Sequence, residues 1–195
     1  MLKIINLVLF TIAVVVGITF MTATPPVSQK VLNDSSIKLS TQYFPKSIEV
    51  VGQEGYVDTN ELFKKGSKTL LVVGNHDSLA VVKDFEKLFD TNVPYVMVAN
   101  ISNAPWFIKK WAIPGKLEEL TKDIKTPMIY DTDGLMVKSL LLDNLESTKY
   151  FAYLVNEDGS VTKIHTGTVK EGALEEGFTP EEAKASLLPL MQFLK

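Results

Sequence analysis

The sequence contains no cysteine. Thiolate catalysis, disulfide bonds, thiol-ligated metals and lipid acylation of an N-terminal cysteine are all excluded for this chain. The compartment is not fixed by that absence, because reducing and oxidising locations both hold cysteine-free proteins. Histidine is scarce, with His76 and His165 only. A net charge of −3 leaves no electrostatic case for nucleic-acid binding. Internal repeats and low-complexity segments are missing as well. Nothing in the residue pattern calls for a cofactor.

The first 24 residues stand apart. Lys3 precedes an apolar run over residues 4–21, broken only by Asn6, Thr11, Gly17 and Thr19. This is the pattern of a secretory signal peptide. The run is also near the lower length limit for a membrane-spanning anchor. Either way the body is expected outside the cytoplasm, periplasmic or secreted, or anchored at the inner membrane of a bacterial envelope. Residues 25–46 are polar and aperiodic and read as a linker or lead-in. Residues 47–195 read as one folded domain.

That domain is organised around residues 68–89, KTLLVVGNHDSLAVVKDFEKLF. Leu70, Leu71, Val72 and Val73 predict a strand covered on both faces. Gly74, Asn75, His76, Asp77 and Ser78 form a turn. Leu79, Val82, Phe85, Leu88 and Phe89 then fall at helical spacing. Residues 47–51 and 56–58 predict a hairpin with turn residues between them. Further strands are expected over residues 93–99, 128–130, 150–155 and 161–165, with Asn156, Glu157, Asp158 and Gly159 turning the last pair. Short helices are expected over residues 60–65, 117–124 and 135–141. Thr179 and Pro180, followed by two acids, predict the start of a final helix reaching about Phe193, with Pro189 as a kink or stop. The order indicates an α/β sandwich with a mixed central sheet.

The order resembles the thioredoxin-like fold, in its peroxiredoxin-like or membrane-anchored thiol-disulfide oxidoreductase variety. Four features carry the resemblance across residues 47–195. They are the lead-in hairpin, LLVVGNHDS followed by an amphipathic helix, Thr126-Pro127 before MIYD, and FAYLVNEDGSVTKIHTG as a closing hairpin with Gly167. The resemblance implies an N-terminal β-hairpin extension and a cis bond at Thr126-Pro127. It also implies an active-site turn whose two cysteine positions are Ser78 and Val81. At a helix N-terminus the dipole lowers a thiol's pKa enough to make a nucleophile. A serine hydroxyl is far less acidic, and a valine resolves nothing. The resemblance therefore supplies a scaffold without thiol exchange or peroxidase chemistry.

His76, Asp77 and Ser78 invite a triad or, with His165, a metal site. Three neighbours on one tight turn do not normally reach triad geometry. N-capping by Asp77 or Ser78 is the plainer reading, and anion binding at the helix N-terminus another. Trp106 and Trp111, with Phe107 and Pro105, form an aromatic-rich insertion read as core packing or as a recognition surface. Asp131, Asp133 and Asp158 read as turn residues, because the rest of a calcium loop is missing. The expected function is a non-catalytic binding or accessory module. Its candidate surface is Asn75, His76, Asp77, Ser78, Trp106, Trp111, Thr126 and Pro127, and its partner an envelope protein or peptide. The alternative is a non-thiol enzyme or a metal- or small-ligand-binding protein that uses His76, Asp77 and Ser78.

Overall fold

The apolar run at Leu70 becomes the middle strand of a five-stranded sheet. The structure is a computed structural model that describes residues 38–143 and 146–194. In chain order come β1 (Ser47–Glu49), β2 (Tyr56–Asp58), α1 (Thr59–Leu62) and β3 (Thr69–Gly74). Helices α2 (His76–Val82) and α3 (Phe85–Leu88) lead to β4 (Tyr95–Asn100). The insertion forms α4 (Trp106–Trp111) and α5 (Ile113–Thr121), followed by β5 (Met128–Asp131) and α6 (Leu135–Ser139). The hairpin β6 (Lys149–Val155) and β7 (Val161–Thr168) comes next, then α7 (Ala173–Glu176) and α8 (Pro180–Leu187). The chain runs on as a 3-10 helix over Leu188–Phe193, with Pro189 in its first turn.

The strands lie in the order β5-β4-β3-β6-β7. β3, β4 and β5 are parallel, β6 is antiparallel to β3, and β7 is antiparallel to β6. Side chains alternate across a strand, so β3 feeds two cores. Leu70 and Val72 pack with Phe85, Leu117 and Leu187 on one face. Leu71 and Val73 pack with Ile48, Phe63 and Met136 on the other. A strand buried on both sides needs no polar position, which is why this run is continuously apolar. β1 and β2 pair with each other in a separate antiparallel ribbon, Ser47 opposite Asp58. The chain beyond β1 then touches the sheet edge, where the Val51 N–H donates to the Met128 carbonyl at 2.9 Å.

Three expectations are corrected. The single helix expected after the turn is two, because the backbone resets at Asp84, where φ is −89° and ψ 6°. The reset lets Phe85 and Phe89 both face inward, their centroids 5.2 Å apart, with Tyr95 5.3 Å from Phe85. The lead-in is not all linker. Val161 N–H donates to Leu39 O and Thr41 N–H to Gly159 O, both at 2.9 Å. Phe44 is buried edge-on against Phe63 at 5.2 Å. Polar composition hid this strap, since its bonds are made by backbone. Finally, there is no cis bond among the described residues, so Thr126-Pro127 is trans.

The expected leader, residues 1–24, lies outside the described residues. Among the described residues no helix is long and apolar enough to cross a membrane.

Gly167 stands opposite Tyr150 in the β6–β7 ladder. A Cβ added there would stand only 2.2 Å from Tyr150 Cζ and 2.4 Å from its Oη. That ring is fully buried, and its hydroxyl donates to the Ser186 carbonyl at 2.7 Å, tying β6 to α8.

Candidate functional site

In open α/β sheets ligands bind in the crevice beyond the carboxyl ends of the strands. Here those ends are Gly74 of β3, Asn100 of β4 and Asp131 of β5, in register through Gly74–Ala99 and Asn100–Asp131. The Asn100 side-chain oxygen accepts the Ser102 N–H at 3.1 Å and the Ser102 hydroxyl at 2.7 Å, which turns the chain into the insertion. The Asp131 carboxylate accepts the N–H groups of Met136 at 3.2 Å and Val137 at 3.0 Å and seats α6. Burial pushes its carboxyl above the ordinary value, against the lowering effect of those backbone donors.

The turn after β3 is closed on itself. Ser78 is fully buried. Its Oγ accepts the Asn75 N–H and donates to the Asn75 carbonyl, both at 2.8 Å. Its N–H points to the Asn75 carbonyl and to Ser147 O, each at 3.0 Å. Gly74 is required beside it, since a Cβ at that position would stand 2.6 Å from Ser78 Oγ. Asp77 is buried too and turns away from Ser78. Its carboxylate accepts the Gly172 N–H at 3.1 Å and the Leu174 N–H at 3.0 Å. Asp77 thus clasps α7 onto the start of α2.

The clasp completes a cavity of about 540 Å³, within the range of small-ligand pockets. Leu79 supplies its floor. Ile101, Ile108 and Leu117 form the insertion wall, and Leu174 the α7 wall. Asn75, Asn103, Lys116 and Glu175 put polar groups around it. The surface inside is mainly apolar, so it suits a hydrocarbon moiety steered by a few polar contacts at the edge.

The structure divides the surface expected from sequence. Asn75 lines the cavity. Asp77 and Ser78 do not form a binding surface, because both are buried and hydrogen-bonded internally. The Ser78 hydroxyl and the Asp77 carboxylate are both engaged in these internal bonds. The side chain of His76 lies outside what the structure describes. His165 sits mid-strand in β7, opposite Ala152, rather than near a strand end. Among the described residues no three His, Asp or Glu side chains cluster. Trp106 and Trp111 are on the surface of α4, beside the cavity rather than in the core. Thr126 and Pro127 precede the amino end of β5, so they lie at the end of the sheet opposite Asn75. β5, which Thr126-Pro127 leads, runs parallel to β4, whereas the antiparallel partner of β3 is β6, entered through Ser147 and Thr148. Leu174, Glu175, Ile108 and Asn100 were not expected. Gly172, with φ of 75°, makes the tight turn into α7 that places Leu174 on the cavity.

Neither a protein-family model nor a curated protein matches the sequence. Solved structures do match. A thiol-disulfide isomerase from Corynebacterium glutamicum is 15% identical with a TM-score of 0.42, over 68% of this chain and 90% of that one. The bacterioferritin comigratory protein of Xanthomonas campestris is 13% identical with a TM-score of 0.45, over 84% of this chain and 100% of that one. The fold is thioredoxin-like. Strand order, the parallel β3-α2-β4 unit and the β6–β7 hairpin followed by α8 carry that assignment. The chain has that fold and contains no cysteine.

Ser78→Cys is accordingly expected to yield no multiple-turnover reduction of insulin. The thiol would be sealed where Ser78 Oγ now sits, and Val81 offers no resolving group. Sustained turnover by that variant would refute this.

Proposed function

We propose that this chain is a non-catalytic binding module of the bacterial envelope, working outside the cytoplasm. Its ligand is an apolar side chain or short hydrophobic segment of a partner protein or peptide, received in the cavity between α2, α4, α5 and α7. The observation that carries this is the cavity itself: mainly apolar, ligand-sized, and at the strand ends where this class of sheet binds. The engagement of the Ser78 hydroxyl and the Asp77 carboxylate in structural bonds supports it. The chain also has no arginine, all 20 of its cationic Lys/Arg side chains being lysines. A bidentate clamp on a phosphate or carboxylate is therefore missing, which favours an apolar ligand over an anionic one.

Ala112 lines the cavity and is exposed, so a larger side chain there fills space without disturbing the core. Immobilised full-length chain is expected to retain a partner from solubilised envelope membranes, and Ala112→Trp to lose it while unfolding at the same urea concentration. Equal retention by both would sink the proposal, and Ala104→Trp, on the same wall, guards against a rotamer that misses the cavity.

A further inference from the structure

The outer face of α4 has no internal role. At 100° per residue Trp106, Lys110, Phe107 and Trp111 share one arc of about 140°. Trp106 is 63% exposed, Phe107 45% and Trp111 79%. The Trp106 and Phe107 rings meet edge-on, centroids 6.1 Å apart. The other arc is fixed to the body. Ile108 lines the cavity, Lys109 Nζ donates to the Thr132 carbonyl at 2.8 Å, and the Tyr130 hydroxyl donates to the Lys109 carbonyl. The aromatic face is thus held outward by its own anchoring.

We propose that this face docks on the surface of a phospholipid bilayer, with both indoles at headgroup level and Lys110 among the lipid phosphates. Indole has an apolar body and one polar edge, which is why it settles at that depth. No acidic residue falls within α4, so nothing on the helix repels phosphate, and Lys110 attracts it. Apart from the indole N–H groups and Lys110, the arc offers no hydrogen-bonding side chain to specify a protein surface. A bilayer requires only amphipathic rings and a cation. The length of the chain before the strap allows this orientation. The strap at Leu39 and Thr41 joins the β6–β7 turn, at the end of the sheet away from α4, so a tether from residues 4–21 has to pass the whole body. Residues 22–37 reach at most about 55 Å, and a body of this size is about 40 Å across. The inference stands independently of any ligand in the cavity.

Trp106 and Trp111 are the two tryptophans of the chain, so its indole fluorescence reports this face alone. Full-length chain is reconstituted in phosphatidylethanolamine and phosphatidylglycerol vesicles, with or without brominated acyl chains. Vesicle binding as such decides nothing, because residues 4–21 alone can cause it. The expected result is a blue-shifted emission that loses intensity in brominated lipid. Trp106→Phe and Trp111→Phe should each retain quenching of the remaining ring, and Lys110→Glu should weaken it at an unchanged unfolding midpoint. Unquenched emission with full access to acrylamide would overturn the proposal. A shift that appears only after solubilised envelope proteins are added would overturn it in favour of a protein partner.

Discussion

Gly167→Ala is expected to cost about 3 kcal/mol of folding stability, the upper part of the range for overpacking a filled core. The methyl would stand 2.2 Å from Tyr150 Cζ, far inside van der Waals contact. The ring has no room to retreat, since it is fully buried and its hydroxyl holds the Ser186 carbonyl at 2.7 Å. A folded domain has only about 5–15 kcal/mol in hand, so the urea midpoint should move visibly. Tyr150→Leu placed in the Gly167→Ala chain should recover part of the loss by removing the ring. An unchanged midpoint for Gly167→Ala would show that Tyr150 has another rotamer and that the contact does not hold the hairpin to α8.

Asp77→Ala should remove about 2–4 kcal/mol, because two part-buried N–H groups lose their shared acceptor together. The effect is also local. Gly172 and Leu174 are the residues whose amides Asp77 holds, and Leu174 is a wall of the cavity. Hydrogen exchange at the Leu174 amide should accelerate more than exchange in β3, and partner capture should fall with it. If the Leu174 amide stays protected in the variant, α7 is held by packing alone and the clasp is not what shapes the cavity.

Much of the fold was legible because the signals were strong and local. Four consecutive aliphatics at Leu70 have few homes other than a doubly covered strand. Asn156, Glu157, Asp158 and Gly159 specify a hairpin turn, and Thr179 with Pro180 and two acids specifies a helix start. The strap was illegible because its attachments are backbone hydrogen bonds that leave no side-chain pattern. The site was harder still. Asp77 and Ser78 stood in the right turn but point inward, and a sequence does not disclose direction. Strand pairing decides which proline lies near the turn. Thr126-Pro127 matched a local pattern, yet β5 runs parallel to β3 and carries it to the far end. The cavity wall at Leu174 comes from a segment whose composition suggests only solubility.

The strap at Leu39 and Thr41 also fixes how the domain bears mechanical load. A pull on Lys38 acts first on the two backbone bonds to Gly159 and Val161, then on Phe44 where it wedges against Phe63. The parallel strands β3, β4 and β5 are not on that line. Tension applied through Lys38 is taken up at the β7 margin, while the crevice at the opposite end of the sheet keeps its shape.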